Sequence, residues 1–197
     1  MNPKTDDGII EAAKKYINDL FENNSDGHDA GHSMRVYQNA NRIAESYPEC
    51  NLMVVSLSSL LHDVDDHKLF NTENNENARR FLESQHVESD LTEFICEVIN
   101  GVSFSKNRGK CPESIEGKIV QDADRLDALG AVGIARTFAY GGRCGRPMES
   151  SLQHFTDKLL LLKDAMNTDE ARRIAEKRHA YMQEFLHELS DEMNADV

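Results

Sequence analysis

The strongest constraint on the fold is an uninterrupted apolar run, Leu52–Leu61, that leads directly into the dipeptide His62-Asp63. Such a run predicts a helix that is buried on nearly all sides, with expected bounds 51–64. On a wheel of 100° per residue, His62, Asp63 and Asp66 fall at neighbouring angles and form one polar corner. Uncompensated charge in a buried position costs several kcal/mol. We therefore expect this corner to be ion-paired or to bind a cation.

A histidine-aspartate dipeptide is weak evidence by itself, and the chain contains a second one at His28-Asp29. A further histidine, His32, lies one turn before Val36 on the apolar stripe of a helix predicted over 29–46. A lone histidine on such a stripe is more often a core residue with satisfied hydrogen bonds than a metal ligand. The stripe consists of Val36, Ala40, Ile43, Ala44 and Tyr47.

Three aspartates, Asp122, Asp124 and Asp127, flank the apolar face of a later predicted helix. Helix capping, or ion pairs with Arg125 and Arg136, could explain any one of them. On a straight wheel Asp127 lies nearer the apolar face than Asp124, so the wheel alone favours Asp127 as the residue that points inward. The apolar face is formed by Ile115, Ile119, Ala123 and Leu126.

Hydrophobic periodicity predicts an all-α fold, because strand-like alternation is nowhere convincing. Within the sixth predicted helix, Gly130 and Gly133 are the expected points of bending or close packing. Residues 141–147 are expected to form a long turn. The last helix should turn Ile174, Tyr181, Phe185 and Leu189 inward. The predicted helices are 8–23, 29–46, 51–64, 75–84, 90–100, 115–140, 150–165 and 168–189.

The composition fits one soluble globular domain of 197 residues, with 39% hydrophobic and 29% charged residues. The net charge of −13 argues against binding to nucleic acid or to anionic membranes. The longest apolar run, about ten residues, is too short to span a bilayer, and the first residues lack the apolar core of a signal peptide. Four cysteines without a Cys-x-x-Cys pair predict a reducing, cytoplasmic location.

Taken together and in this order, these residues resemble the HD-domain metal-dependent phosphohydrolases. The pattern His32-x-x-Arg35-Val36 is followed by His62-Asp63 and then by Asp124. The resemblance runs from about residue 27 to about residue 142. It is strongest to small bacterial HD proteins of nucleotide pyrophosphohydrolase type, whose pattern is matched by Ser103–Lys106 and Glu116–Asp127.

The resemblance implies one HD-domain helical bundle over residues 1–197, with a core of about 27–142 and a metal site between central helices. It also implies that His32, His62, Asp63 and Asp124 bind one divalent metal ion. Such a mixed set of nitrogen and oxygen ligands suits Mn, Co, Ni, Fe or Mg better than a closed structural zinc site. Behind these ligands, Asp127 would orient one of them or pair with Arg125, and Arg35 would brace the site.

For catalysis, Asp66 is placed to orient or deprotonate the attacking water, and similar enzymes carry an acidic residue at this position. The alternative is a solvent-exposed loop carboxylate. Lys68, Lys106 and Arg136 are the candidates for neutralising phosphate oxygens, although each also fits a surface charge. His28, together with His67, could contact the base or the ribose.

The resemblance implies a nucleotide phosphohydrolase that cleaves nucleoside triphosphates to monophosphate and pyrophosphate. A nucleoside 5'-monophosphate phosphatase and a non-catalytic metal- or nucleotide-binding regulator remain as alternatives. Two-metal HD proteins carry extra histidines between the His-Asp pair and the final aspartate. Here only His67 and His86 lie in that interval, which favours a single metal ion. A nucleotide is the expected partner, and a homodimer is left open.

Overall fold

The computed structural model describes residues 6–22, 29–67, 69–103, 107 and 109–194, and every regular element in these ranges is a helix. The prediction of an all-α fold is confirmed. Within the same ranges no helix is both long enough and apolar enough to cross a bilayer. The elements are α1 (Asp6–Leu20), α2 (Ala30–Ala44), α3 (Leu52–Leu61), α4 (Glu76–Ser84), α5 (Ser89–Val102), α6 (Ile115–Asp127), α7 (Gly130–Arg143), α8 (Met148–Asp157), a 3₁₀ helix (Leu159–Ala165) and α9 (Asp169–Asn194).

The chain forms two compact units, Met1–Asp124 and Arg125–Val197. In the first unit α3 is central, because α1, α2 and α5 all pack against it. Every residue of Val54–Leu61 is buried, as the apolar run predicts. Each fully buried leucine of such a helix contributes roughly 1.5–3 kcal/mol of transfer free energy. The expected single domain over 1–197 stays a prediction.

The N-terminus of α3 is fixed by hydrogen bonds rather than by apolar packing. The side-chain oxygen of Asn51 accepts the backbone N–H groups of Met53 and Val54. The backbone N–H of Asn51 donates in turn to Oε1 of Glu116 on α6, at 2.8 Å. These bonds satisfy donors that have no partner within the helix, so the start of α3 is well defined.

The end of α3 corrects the expected bound of 64, because the helix stops at Leu61 and His62 is its C-cap. The chain then continues in turns, with Val64 N–H donating to the Leu61 carbonyl and Asp66 N–H to the Asp63 carbonyl. Aspartates compete with helical hydrogen bonding and favour turns, which explains the early stop. The wheel angles expected for Asp63 and Asp66 therefore do not apply.

In the second unit α7 packs against α8 and α9, and the 3₁₀ helix packs against both α8 and α9. The ring of Phe138 on α7 contacts the rings of Phe155 and Phe185. The prediction that Tyr181 points inward is wrong, since Tyr181 is 51% exposed and Met182 is fully buried instead. The buried stripe of α9 is shifted by one residue there and consists of Ala171, Ile174, Ala175 and Met182.

Two long predicted helices are interrupted, and each break has a local cause. The segment 115–140 divides into α6 and α7 at Gly130, whose φ of +75° suits glycine and strains other residues. The segment 150–165 divides at Lys158, where φ is −139°, and continues as the 3₁₀ helix. The expected turn 141–147 begins later, because α7 runs to Arg143.

Gly133 on α7 gives a test of this packing. A Cβ atom at Gly133 would lie 2.2 Å from the carbonyl oxygen of Ala128, whereas a Cβ at Gly142 on the same helix would meet nothing within 4 Å. We expect Gly133→Ala to lower the free energy of unfolding by about 1–3 kcal/mol, because backbone must shift. Gly142→Ala, the matched control, should leave it unchanged or raise it by up to about 1 kcal/mol. Urea titrations followed by circular dichroism measure both, and an unchanged midpoint for Gly133→Ala would show that α7 can move away from Ala128.

Candidate metal centre

His32 lies in the first turn of α2, and its backbone is fixed by the N-cap of that helix. The side chain of Asp29 accepts the backbone N–H of His32 at 2.6 Å. The imidazole is 3% exposed, so it lies inside the first unit. The predicted position of His32, one turn before the buried Val36, is therefore the position that the structure shows.

His62 lies immediately after α3, and its ring is oriented by a carbonyl of that helix. Its Nδ1 is 2.8 Å from the carbonyl oxygen of Ser59. A carbonyl can only accept, so Nδ1 is the donor in this bond and Nε2 is the nitrogen that faces the cluster. A hydrogen bond of this kind fixes both the tautomer and the direction of a histidine that binds metal through the other nitrogen.

Two carboxylates join these imidazoles in one cluster. The Nε2 atoms of His32 and His62 are 3.2 Å apart. Oδ1 of Asp124 is 3.3 Å from Nε2 of His32 and 3.9 Å from Nε2 of His62. Oδ2 of Asp63 is 3.5 Å and 3.4 Å from the same two nitrogens. The structure thus brings together all four residues of the predicted ligand set.

The donor set and its spacing fit a divalent metal ion. An ion about 2.1 Å from each ligand atom sets neighbouring ligand atoms about 3.0 Å apart at octahedral angles and about 3.4 Å apart at tetrahedral angles. The spacing observed around His32 and His62 is close to these values. Two imidazoles and two carboxylates also leave positions open for other ligands, unlike a closed cysteine-rich zinc site. The cluster of His32, His62 and Asp124 can therefore hold a metal ion.

The electrostatics of the cluster favour an ionised Asp124. Burial raises the pKa of this carboxyl. The hydrogen bond from His32 and the charges of His32 and His62 together lower the pKa by more than burial raises it, even with a smaller raising effect of Asp63. The net pKa of Asp124 lies below its usual range. Because metals bind the carboxylate form, Asp124 is ready to act as a ligand at neutral pH.

Asp127, which the helical wheel favoured as the inward-pointing residue, has a different partner. Its carboxylate is 2% exposed and accepts a hydrogen bond from Arg136, and both residues belong to the second unit. Arg125, its predicted partner, donates to the carbonyl oxygen of Ala165. The distances above place Asp124 in the cluster, in agreement with the family pattern. The role predicted for Asp127, which is to orient a metal ligand, stays a prediction. The role predicted for Arg136 in substrate binding also stays a prediction.

Asp66 and Asp65, which follow the cluster, have distinct surroundings. The side chain of Asp66 is 18% exposed, and its Oδ1 lies 3.9 Å from Nδ1 of His67. Asp65 instead accepts two backbone N–H groups at the start of α4. Sequence reasoning missed this role, because nothing in the sequence indicates which carboxylate reaches a helix that begins eleven residues later.

The remaining predicted site residues are only partly accounted for. His28, Lys68 and Lys106 lie outside the described residues. Arg35 is half-buried on α2, and its Nη1 would lie 3.2 Å from a Cβ at Gly31. Its role as a brace stays a prediction.

Two buried polar residues of α6 bond to neighbouring segments, and the sequence did not predict these contacts. Glu116 holds the start of α3, as described above. Gln121 is fully buried and donates to the carbonyl of Gly101 at 2.8 Å. Both belong to the segment Glu116–Asp127, which carried the family resemblance. Polar residues beside the apolar face of this helix were the available signal, because a polar side chain that becomes buried needs a hydrogen-bond partner.

Known proteins and solved structures are similar to this chain over the residues that form the cluster. The family model described as HD domain matches residues 29–129. The Bacillus subtilis protein YpgQ is 39% identical over 192 residues, which cover 93% of each chain. Its structure in complex with ADP superposes with a TM-score of 0.84 at 33% identity and covers 98% of both chains. An HD-superfamily hydrolase from Bacillus thuringiensis superposes with a TM-score of 0.80 at 40% identity, covering 98% of this chain and all of that one.

The choice between Asp124 and Asp127 can be tested by metal binding. Removal of a residue that only orients a metal ligand typically lowers metal affinity by roughly 10–100-fold. We expect Asp124→Asn to lower the affinity for Mn²⁺ by more than this, because Asp124 is a proposed ligand itself. Asp127→Asn should lose no more than about 10–100-fold, and loss of its pair with Arg136 should lower the melting temperature. Isothermal titration with Mn²⁺ measures the affinity, His62→Ala serves as the variant that loses a ligand, and circular dichroism checks the fold. The opposite pattern would mean that the helical wheel had identified the correct ligand.

Proposed function

Because this chain belongs to the HD-domain family, we propose that it is a metal-dependent phosphohydrolase that cleaves nucleoside triphosphates to monophosphate and pyrophosphate. The observation that carries the proposal is the cluster in which two carboxylate oxygens lie within 3.9 Å of both imidazole Nε2 atoms. A site with these ligands and open coordination positions is typical of metal-assisted hydrolysis.

Two observations support a nucleotide as the substrate. YpgQ, which is similar over almost the whole chain, has been solved with ADP. In addition, the segments Ser103–Lys106 and Glu116–Asp127 match the pattern of the nucleotide pyrophosphohydrolase type. A chain with a net charge of −13 needs local positive charge to attract a polyphosphate, and a bound divalent ion would provide it.

In the proposed reaction, His32, His62, Asp63 and Asp124 hold one divalent ion, for which Mn, Co, Ni, Fe and Mg are candidates. Such an ion supplies Lewis acidity towards a phosphoryl oxygen and lowers the pKa of water. The Ser59 carbonyl keeps the His62 ring directed into the cluster.

Asp66 accepts the proton of the water that attacks the α-phosphorus. Lys68 and Lys106 neutralise phosphate oxygens, and Arg136 is the third basic candidate.

A nucleotide panel tests this function. Purified protein is incubated with nucleoside tri-, di- and monophosphates in the presence of Mn²⁺, Co²⁺, Ni²⁺ or Mg²⁺, and the products are separated by ion-exchange chromatography. We expect triphosphates to give monophosphate and pyrophosphate in equal amounts. The variant His32→Ala, prepared identically, controls for contaminating phosphatases. Release of inorganic phosphate from monophosphates would favour the 5'-monophosphatase, and binding without turnover would favour a regulator.

The role of Asp66 makes a quantitative prediction. Asp66→Asn keeps the shape of the side chain but cannot accept a proton, so kcat should fall by about 10²–10⁴-fold with little change in KM. Metal content should stay at the wild-type level, because the four proposed ligands are intact. Asp90→Asn, which alters an exposed carboxylate of α5, is the matched control. A near wild-type rate for Asp66→Asn would make Asp66 an ordinary loop carboxylate.

A further inference from the structure

The N-terminus of α4 lacks a capping side chain from its own preceding residue. Asn75, the N-cap residue, is left-handed with φ of 57°, and its side chain makes no capping hydrogen bond. The Nδ2 group of Asn75 donates instead to Oδ1 of Asn100 at 3.1 Å. The first N–H groups of a helix have no partner within the helix, so those of Asn77 and Ala78 need an acceptor from elsewhere.

Asp65 provides that acceptor from the turn that follows the metal cluster. Its Oδ1 accepts the N–H of Asn77 at 2.9 Å, and its Oδ2 accepts the N–H of Ala78 at 3.0 Å. The side chain of Asn77 reciprocates, because its Nδ2 donates to the carbonyl of Val64 at 2.8 Å. A carboxylate at this place also faces the positive end of the α4 dipole.

These three bonds anchor the turn to a separate helix, in addition to local backbone bonds that include those from the N–H groups of Leu69 and Phe70 to the Asp66 carbonyl. Val64 N–H and Asp66 N–H each bond a carbonyl three residues earlier, as in isolated turns, and α3 has already ended at Leu61. The turn carries Asp63 at one end and Asp66 at the other. Anchoring Val64 and Asp65 to α4 therefore contributes to the position of the Asp66 carboxylate, which belongs to the next residue.

We propose that Asp65 and Asn77 are positioning residues, which hold the carboxylate of Asp66 in place by tying its turn to the N-terminus of α4. This inference rests on the proposed function, in which Asp66 accepts the proton of the attacking water. It assigns to Asp65 the part of a helix cap and not of a second base, although Asp65 is the nearest carboxylate in sequence to Asp66.

Substitutions of Asp65 distinguish a role as a helix cap from a role as a second base. Asp65→Asn keeps one acceptor oxygen for the N–H groups of α4 and cannot act as a base, whereas Asp65→Ala removes both bonds. We expect Asp65→Ala to lower kcat by about 10–100-fold with KM nearly unchanged, because the reacting groups are misplaced, and Asp65→Asn to lower it several-fold less. Equal inactivity of the two variants would overturn the proposal, as would full activity of Asp65→Ala.

Asn77→Ala tests the reciprocal bond and does not depend on the folding of the Asp65 variants. It removes only the bond to the Val64 carbonyl, and alanine is the better helix former, so α4 itself is not weakened. We expect kcat to fall by about 10-fold, with the Mn²⁺ affinity unchanged. The matched control is Arg80→Ala, which breaks the exposed Glu76–Arg80 pair on the same helix and should leave kcat unaltered. Equal rates for Asn77→Ala and Arg80→Ala would overturn the proposal.

A double-mutant cycle distinguishes this inference from the function on which it rests. If Asp65 acts through Asp66, Asp65→Ala should cost nothing further once Asp66→Asn is present, whereas independent effects would multiply and overturn the inference. Full activity of Asp66→Asn alone would instead refute the proposed base. Amide hydrogen exchange is measured without turnover, and the N–H groups of Asn77 and Ala78 should exchange faster in Asp65→Ala than in the wild type. Equal exchange rates would show that Asp65 does not cap α4.

Discussion

The arrangement of the first unit depends on holding two imidazoles and two carboxylates against one another away from bulk water. Such groups are expensive to bury unless they are paired or share a cation. The chain meets this demand in part by giving each histidine a separate support: Asp29 fixes the backbone of His32, and the Ser59 carbonyl directs His62. Asp124 is supplied by α6, the helix whose Glu116 also holds the start of α3. The buried core therefore serves mainly to present these groups at fixed distances.

The buried helix and the position of His32 could be predicted from the sequence, because both depend on the spacing of nearby residues. The run Leu52–Leu61 identified the buried helix, and His32 was placed correctly by its distance of one turn from Val36. The choice of Asp124 over Asp127 required the family pattern. A straight wheel compares directions about one axis and contains no information on which partner, such as Arg136, a carboxylate will reach.

The errors share one physical origin, since each arose where a local pattern ended, shifted or was overridden by a contact from elsewhere in the chain. The helix α3 was extended past Leu61 because periodicity does not register how strongly successive aspartates favour turns. Tyr181 was placed inside because the buried face of α9 is shifted by one residue near its middle. The bond of Asp65 to α4 could not be foreseen, as it links positions twelve and thirteen residues apart through backbone groups that every sequence possesses.

The stop of α3 at Leu61 has a consequence for how such a protein can diversify. Residues up to Leu61 are constrained by packing, since Val54–Leu61 are all buried, and Asp63 and Val64 of the following turn are buried as well. Burial ends there, and His67 is exposed. A lineage could therefore exchange exposed residues beyond the turn without rebuilding the interior, so new surface chemistry beside the cluster can arise at small cost in folding.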